Sequence, residues 1–308
     1  LKRFAKVRVE LDSRPESVAL VRAVLSGIAE WRELDPELLN DLKTAVSEAC
    51  NNVVVHAYDD GVRGPMSVNV DADGAGLTAT VRDCGVGLQA VATREDRPGV
   101  GLAVISALAA RAEFATPADG GTEVRMWFPA TARATPPLVH FNPPRFAAGP
   151  PHRPVRAEHG PAGQASPARE LAGDARVTLS PISLTTAVLG RLARALAASA
   201  RFSFDRFSDI YLVADAIGAH AQRSAADDRI AFSATGSAKR LELVVGPFEA
   251  GSGARLLRRH TDAQGEPESP LSLLADELRV DGDERSETLH IVLRDRGGPM
   301  RGGAGGDY

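Results

Sequence analysis

The chain has 308 residues, of which 44% are hydrophobic and 25% charged, the composition of a soluble globular protein long enough to bury two cores. A formal net charge of -4 gives no global electrostatic pull toward nucleic acid or an anionic membrane. The two cysteines, Cys50 and Cys84, exclude a disulfide framework and open no C-x-x-C metal spacing; with no apolar run of spanning length, the expected setting is a reducing cytoplasm.

From the amino terminus, "LKRFAKVRVELDS" alternates in polarity and reads as a strand over 5–11 instead of a signal peptide. Helical periodicity predicts helices over 15–30 and 36–56, followed by strands over 66–72 and 77–82. A glycine-rich turn leads into a helix from about 101 to 112, and "GTEVRMWF" supplies a last strand over 122–128. Short turns join the later strands, so the expected fold class is α/β in the form of an α+β two-layer sandwich with mostly antiparallel strands. Residues 131–172 are crowded with Pro, Gly, Ala and Arg and read as a linker.

Beyond the linker the order of elements returns in weaker form. "VRVELDSRPESVALVRAVL" faces "ARVTLSPISLTTAVLGRLA", "DLKTAVSEACNNVVVHA" faces "SDIYLVADAIGAHAQRS", and "LTATVRDCGVGL" faces "LELVVGPFEAGSG". The pairs Arg8 and Arg176, Glu48 and Asp215, Val81 and Val245, and Thr122 and Thr288 each stand about 165 residues apart, the constant spacing of a whole-domain duplication. The expected organisation is a first domain over 1–130, the linker over 131–172, a second copy over 173–297 and a flexible Gly-rich tail over 298–308. Two unrelated α/β domains with the same order of elements are the alternative.

The first copy carries polar residues in unusual places. On the 36–56 helix, Leu38, Leu42, Ala45, Val46, Ala49 and Val53 form an apolar stripe, bordered by Glu48 and Asn52 four residues apart. That spacing stacks a carboxylate and an amide on successive turns, so both can reach one cavity; it also suits two polar residues meeting solvent at the stripe's edge. "VRDCGVGL" places Asp83 directly after a strand, followed by Gly85 and Gly87. An ionised Asp there can accept from a base amino group, and glycines let the chain pass close to a planar ring, although Asp and Gly also make turns for backbone reasons alone. In "RPGVGLAVISAL", Gly99 and Gly101 precede an apolar helix, whose amino-terminal N–H groups attract phosphate. Gly120, Gly121 and Thr122 open the last strand of this copy.

Taken in order, Glu-x-x-x-Asn on a helix, Asp-x-Gly-x-Gly, Gly-x-Gly-Leu and Gly-Thr before a strand resemble the nucleotide site of the GHKL ATPase superfamily, with its Bergerat-type ATP-binding fold. Within it, "SEACNNVVVHAY" and "VRDCGVGL" look most like the bacterial anti-sigma factor serine kinases. The resemblance covers roughly residues 5–130 and implies the cofactors ATP and Mg²⁺. It implies that Asn52 is the metal ligand, that Glu48 is the catalytic base, and that Asp83 accepts from the adenine amino group. Gly85, Gly87, Gly99 and Gly101 would shape the pocket and lid, and Thr122 would touch Asp83 or the base. The implied function is an ATP-dependent protein serine/threonine kinase that binds a sigma factor and phosphorylates an anti-anti-sigma antagonist of the STAS type. The alternative is a non-catalytic ATP-binding module that sequesters a protein partner. No direct nucleic-acid or membrane partner is implied.

His56 reads as a packing or capping residue at the helix end. Cys50 and Cys84 read as small space-filling thiols. Arg94 and Arg97, in the charged loop "ATREDRPG", suit either a phosphate contact or a solvated face. In the second copy Asp215 stands for Glu48, Ala219 for Asn52 and Pro247 for Asp83, so that copy is expected to be degenerate and non-catalytic. It would serve as the chain's own second protomer in an intramolecular pseudodimer, with a homodimer or a docking role as alternatives.

Overall fold

A computed structural model of the chain describes residues 4–59, 61–87, 100–130, 175–257 and 269–295. The first segments give β1 (Ala5–Asp12), α1 (Pro15–Arg32), α2 (Pro36–Asn52), a π-helical turn (Val53–Ala57), β2 (Pro65–Ala72), β3 (Gly76–Asp83), α3 (Val100–Leu108), β4 (Arg111–Ala115) and β5 (Glu123–Pro129). The remainder gives β6 (Ala175–Ser180), a 3₁₀ turn (Ile182–Leu184), α4 (Thr185–Ser199), α5 (Phe204–Ser224), β7 (Ile230–Ser237) and β8 (Arg240–Glu249). Two short helices, α6 (Ala254–Leu257) and α7 (Pro270–Leu274), precede β9 (Glu277–Gly282) and β10 (Ser286–Arg294).

The period-2 pattern of β1 has the expected consequence. Ala5, Val7, Val9 and Leu11 are buried beneath the helices, while Lys6 and Arg8 lie on the opposite, exposed face of the sheet. β2 to β6 alternate in the same way, β7, β8 and β10 bury runs of consecutive residues, and the helices gather on the apolar face, giving two layers. The described strands form one sheet in the order β4-β5-β3-β2-β1-β6-β7-β8-β10-β9, with every neighbouring pair antiparallel. Read outward from the central β1–β6 pair, the order is β1, β2, β3, β5, β4 on one side and β6, β7, β8, β10, β9 on the other. At that centre Val9 stands opposite Val177, with Arg8 opposite Thr178 and Glu10 opposite Arg176.

Above this seam α1 packs on α4. Gly27 permits the approach: a β-carbon there would lie 2.7 Å from the Ala187 carbonyl oxygen and from Val188 Cα. Trp31 Nε1 donates to Ser183 Oγ at 3.2 Å, and Arg191 Nε donates to Glu30 Oε2 at 2.9 Å.

Two expectations are corrected. The helix predicted over 101–112 ends at Leu108, and Arg111–Ala115 forms the edge strand β4. Alanine-rich "ALAARAEFA" suits a helix locally, but pairing of Ala112 with Met126 and Phe114 with Val124 decides the outcome. The helix predicted over 36–56 is α-helical only to Asn52 and then widens into the π turn, a local form often found beside functional sites. The expected linker over 131–172 and the tail over 298–308 lie outside the described residues.

Candidate functional site

Helix α2 starts firmly. Asp35 caps it by accepting from Glu37 N–H at 2.9 Å and Leu38 N–H at 3.3 Å, with Pro36 in the first turn. Its buried stripe of Leu42, Ala45, Val46 and Ala49 fixes the rotation of the helix, which leaves Glu48 and Asn52 half-buried along the stripe's border. Both side chains meet the first turn of α3. A β-carbon at Gly101 would lie 3.1 Å from Glu48 Oε2 and 3.3 Å from Asn52 Oδ1. A carboxylate oxygen and an amide oxygen therefore converge on a helix amino terminus, where N–H groups lack intrahelical partners and the dipole is positive.

Asp83 closes β3 and is 2% exposed. Its Oδ1 accepts from Gly85 N–H at 2.8 Å and from Thr122 N–H at 3.2 Å, while its own N–H donates to the Thr122 carbonyl at 3.0 Å. Burial pushes this carboxyl above its ordinary value; the N–H groups of Gly85 and Thr122, the Thr122 hydroxyl and the Arg82 charge oppose the rise. The result is a buried acceptor whose orientation is set by its own loop.

Two of the glycines around it, Gly85 and Gly121, have backbone neighbours that leave no room for a side chain. A β-carbon at Gly85 would sit 1.9 Å from the Ala57 carbonyl oxygen, the same oxygen that accepts from Val86 N–H at 2.9 Å. Gly87 and Gly121 both adopt positive φ, and a β-carbon on Gly121 would lie 2.1 Å from the Asp83 carbonyl oxygen. So the Asp83 loop is docked directly on the π turn that ends the Glu48–Asn52 helix. Gly99, Arg94 and Arg97 lie outside the described residues.

Sequence reasoning missed Tyr58 as a part of this site. Its hydroxyl donates to the Pro65 carbonyl at 2.6 Å and accepts from Cys84 N–H at 3.1 Å, which ties the end of the π turn to the residue after Asp83. Burial, with the nearby Asp83 charge, pushes the phenol up to about 12, so it stays protonated at neutral pH. An aromatic after "VVVHA" carries no signal of that contact, because its partners come from two other segments. Cys50 is buried, and its thiol is pushed up to about 12, whereas Cys84 is exposed.

Among the described residues no group of three or more His, Cys, Asp or Glu side chains could hold an ion by itself. Glu48 and Asn52 offer two hard oxygens at one point, which fits Mg²⁺ carried on substrate phosphates and not a cage made wholly of protein.

The segments of the second half that the sequence aligns with this site are built differently. Asp215 and Ala219 both lie exposed on α5, and Pro247 lies within β8. The amides of Gly251 and Gly253 are already occupied: they donate to Glu287 Oε1 and Oε2, each at 2.7 Å. Buried His220 stacks at a tilt on Phe248, ring centroids 4.7 Å apart.

Comparison with known proteins places the first half. Residues 11–128 match the family model of the histidine kinase-like ATPase domain. A serine-protein kinase RsbW of Bacillus velezensis is 39% identical over 79 residues, which are 26% of this chain and 49% of that relative. A serine-protein kinase RsbW of Bacillus thuringiensis is 36% identical over 62 residues, 20% of this chain and 39% of the relative. The chain thus spans about half or less of the length of these curated relatives. A crystal structure of the RsbU and RsbW domains of Rv1364c from Mycobacterium tuberculosis shares 27% identity, covering 40% of this chain and 31% of that one, with a TM-score of 0.33. Residues 11–128 are thus similar to the histidine kinase-like ATPase domain, and part of the chain is similar to part of the RsbW serine-protein kinases.

Proposed function

We propose that the chain is an ATP-dependent protein serine/threonine kinase that binds a sigma factor and phosphorylates an anti-anti-sigma antagonist of the STAS type. The observation that carries this reading is the convergence of Glu48 Oε2 and Asn52 Oδ1 on the first turn of α3. The similarity of residues 11–128 to serine-protein kinases supports it.

In this reading Asp83, held by Gly85 and Thr122, accepts from the adenine amino group, and the first-turn N–H groups of α3 face the phosphates. Asn52 Oδ1 would hold Mg²⁺ together with phosphate oxygens; when bound, the ion offsets charge on the transferring phosphoryl group. Glu48 accepts the proton of the substrate hydroxyl as its oxygen attacks the γ-phosphorus. One P–O bond forms, the bond to the β–γ bridging oxygen breaks, and ADP leaves with that electron pair.

We further infer that residues 1–130 are the catalytic domain and that residues 173–297 are a degenerate copy joined by the 131–172 linker. The mirrored strand order supports this. So does the central register: the repeat that aligns Arg8 with Arg176 also aligns Val9 with Val177, and those two valines face one another, as an internal two-fold axis requires. With Ala219 in place of Asn52 and Glu287 on the glycine amides, the second half would bind no Mg·ATP.

The test is transfer of labelled γ-phosphate from ATP to purified STAS-type proteins, with Glu48→Ala as control. Phosphoprotein with the parent chain and none with Glu48→Ala is expected. Tight Mg·ATP binding without any phosphoprotein would leave the sequestering module instead.

A further inference from the structure

On the helical side of the molecule, away from β1 and β6, the seam between α1 and α4 opens into a trough of about 450 Å³. Its lining draws on both halves: Arg22 and Ala23 from α1, Lys43 from α2, Arg191 and Arg194 from α4, and Phe207 from α5. Four cations thus share one small concavity in a chain whose formal charge is -4. Glu30 is the carboxylate paired with Arg191. Arg22 donates to the neutral Ser47 hydroxyl at 3.0 Å, and Arg194 donates to the Gly190 carbonyl at 2.9 Å. Crowding is visible in the titration as well: burial first, then Arg22 and Arg191, lower Lys43, and burial and then Arg191 lower Arg194 in spite of Glu30.

The cations adjoin an aromatic stripe. Phe204, Phe207 and Tyr211 recur at i, i+3 and i+7 on one face of α5. Phe204 is 88% exposed and Tyr211 47%, with the Arg194 guanidinium 3.7 Å above the Tyr211 ring centroid. Arginines with aromatics around an open concavity are the composition of protein interfaces. A nucleic-acid surface would instead follow a basic stripe long enough to track a phosphate backbone.

We propose that this trough is the docking site for an acidic amphipathic helix of a partner protein, its carboxylates pairing with Arg22, Lys43 and Arg194 and its apolar face covering Phe207 and Tyr211. The site needs both halves, because Arg22 and Lys43 come from one and Arg194 and Phe207 from the other. It does not depend on phosphoryl transfer.

Fluorescence anisotropy of the full chain with a labelled 18-residue helical peptide, glutamates on one face and leucines on the other, tests it. The parent chain is expected to bind this peptide at least about tenfold more tightly than its glutamine counterpart, with affinity falling as salt rises. Lys43→Glu and Arg194→Glu should each weaken binding by about tenfold, while a lysine peptide should gain affinity for Arg194→Glu. Phe207→Ala should weaken the acidic peptide without changing its salt dependence. Unchanged far-UV circular dichroism and melting of the variants guard against misfolding. Equal binding of the glutamate and glutamine peptides, or indifference to both charge reversals, would overturn the proposal. So would displacement of the peptide by inorganic phosphate at an ionic strength at which chloride leaves it bound, or by a single-stranded oligonucleotide at matched charge.

Discussion

Replacing Gly101 by alanine separates stability from ligand chemistry at the proposed site. The residue lies in the first turn of α3, and no positive φ is required of it. Alanine is the better helix former by up to about 1 kcal/mol in a helix interior and less near an end, so folding stability should hold or rise slightly. The added methyl, however, would stand 3.1 Å from Glu48 Oε2, 3.3 Å from Asn52 Oδ1 and 3.6 Å from Asn52 Nδ2. Both side chains must withdraw by a few tenths of an ångström from the place where they meet, which is where the phosphate-borne ion would sit. With these oxygens pushed from the ion's place, Mg·ATP binding should weaken by about tenfold, or about 1.4 kcal/mol. Equilibrium titration with Mg·ATP and urea unfolding on the same preparation measure the two effects. Undiminished affinity would refute the inference that these oxygens converge on the nucleotide; a loss of stability matching the loss of affinity would assign Gly101 a packing role only.

Gly85→Ala should act in the opposite sense, since its methyl would overlap the Ala57 carbonyl at 1.9 Å and force apart the Asp83 loop and the π turn. A destabilisation of roughly 3 kcal/mol in urea unfolding is expected. Asp83 gives a pH dependence. Its folded pKa is raised above the ordinary 3.8, so between the two values the native chain holds more protons than the unfolded one. Its contribution to apo-protein stability is therefore largest below that window and falls as pH rises through it; Asp83→Asn should remove this component, and parallel pH curves for both proteins would contradict it. Among the two thiols, exposed Cys84 should react with an aromatic disulfide reagent in the native state, while Cys50, buried and pushed up to about 12, should react only on unfolding.

Where a pattern is local, the sequence carried it. The alternation of β1, the apolar stripe of α2 and the four-residue separation of Glu48 and Asn52 all translate directly into geometry, because strand and helix periods fix which side chains share a face. Asp83 and Thr122 were legible as residues at strand ends, but their mutual hydrogen bonds depend on β3 lying beside β5. What stayed hidden depends on contacts between distant segments. Gly85 reads as room for a ring, yet its immediate constraint is the Ala57 carbonyl. The edge strand β4 follows from pairing with β5 and not from the helix propensity of its alanines. Likewise, Gly251 and Gly253 look like a retained glycine pair until Glu287, from another strand, is found on their amides. The basic trough was beyond any linear reading, because its cations sit on three different helices.

Calorimetric titration of the full chain with Mg·ATP, repeated on Asn52→Ala, tests the central claim most directly. One site per chain in the parent protein, abolished by Asn52→Ala, is the result the convergence of Glu48 and Asn52 predicts. Two sites per chain, or one site indifferent to that substitution, would place the nucleotide elsewhere and contradict it.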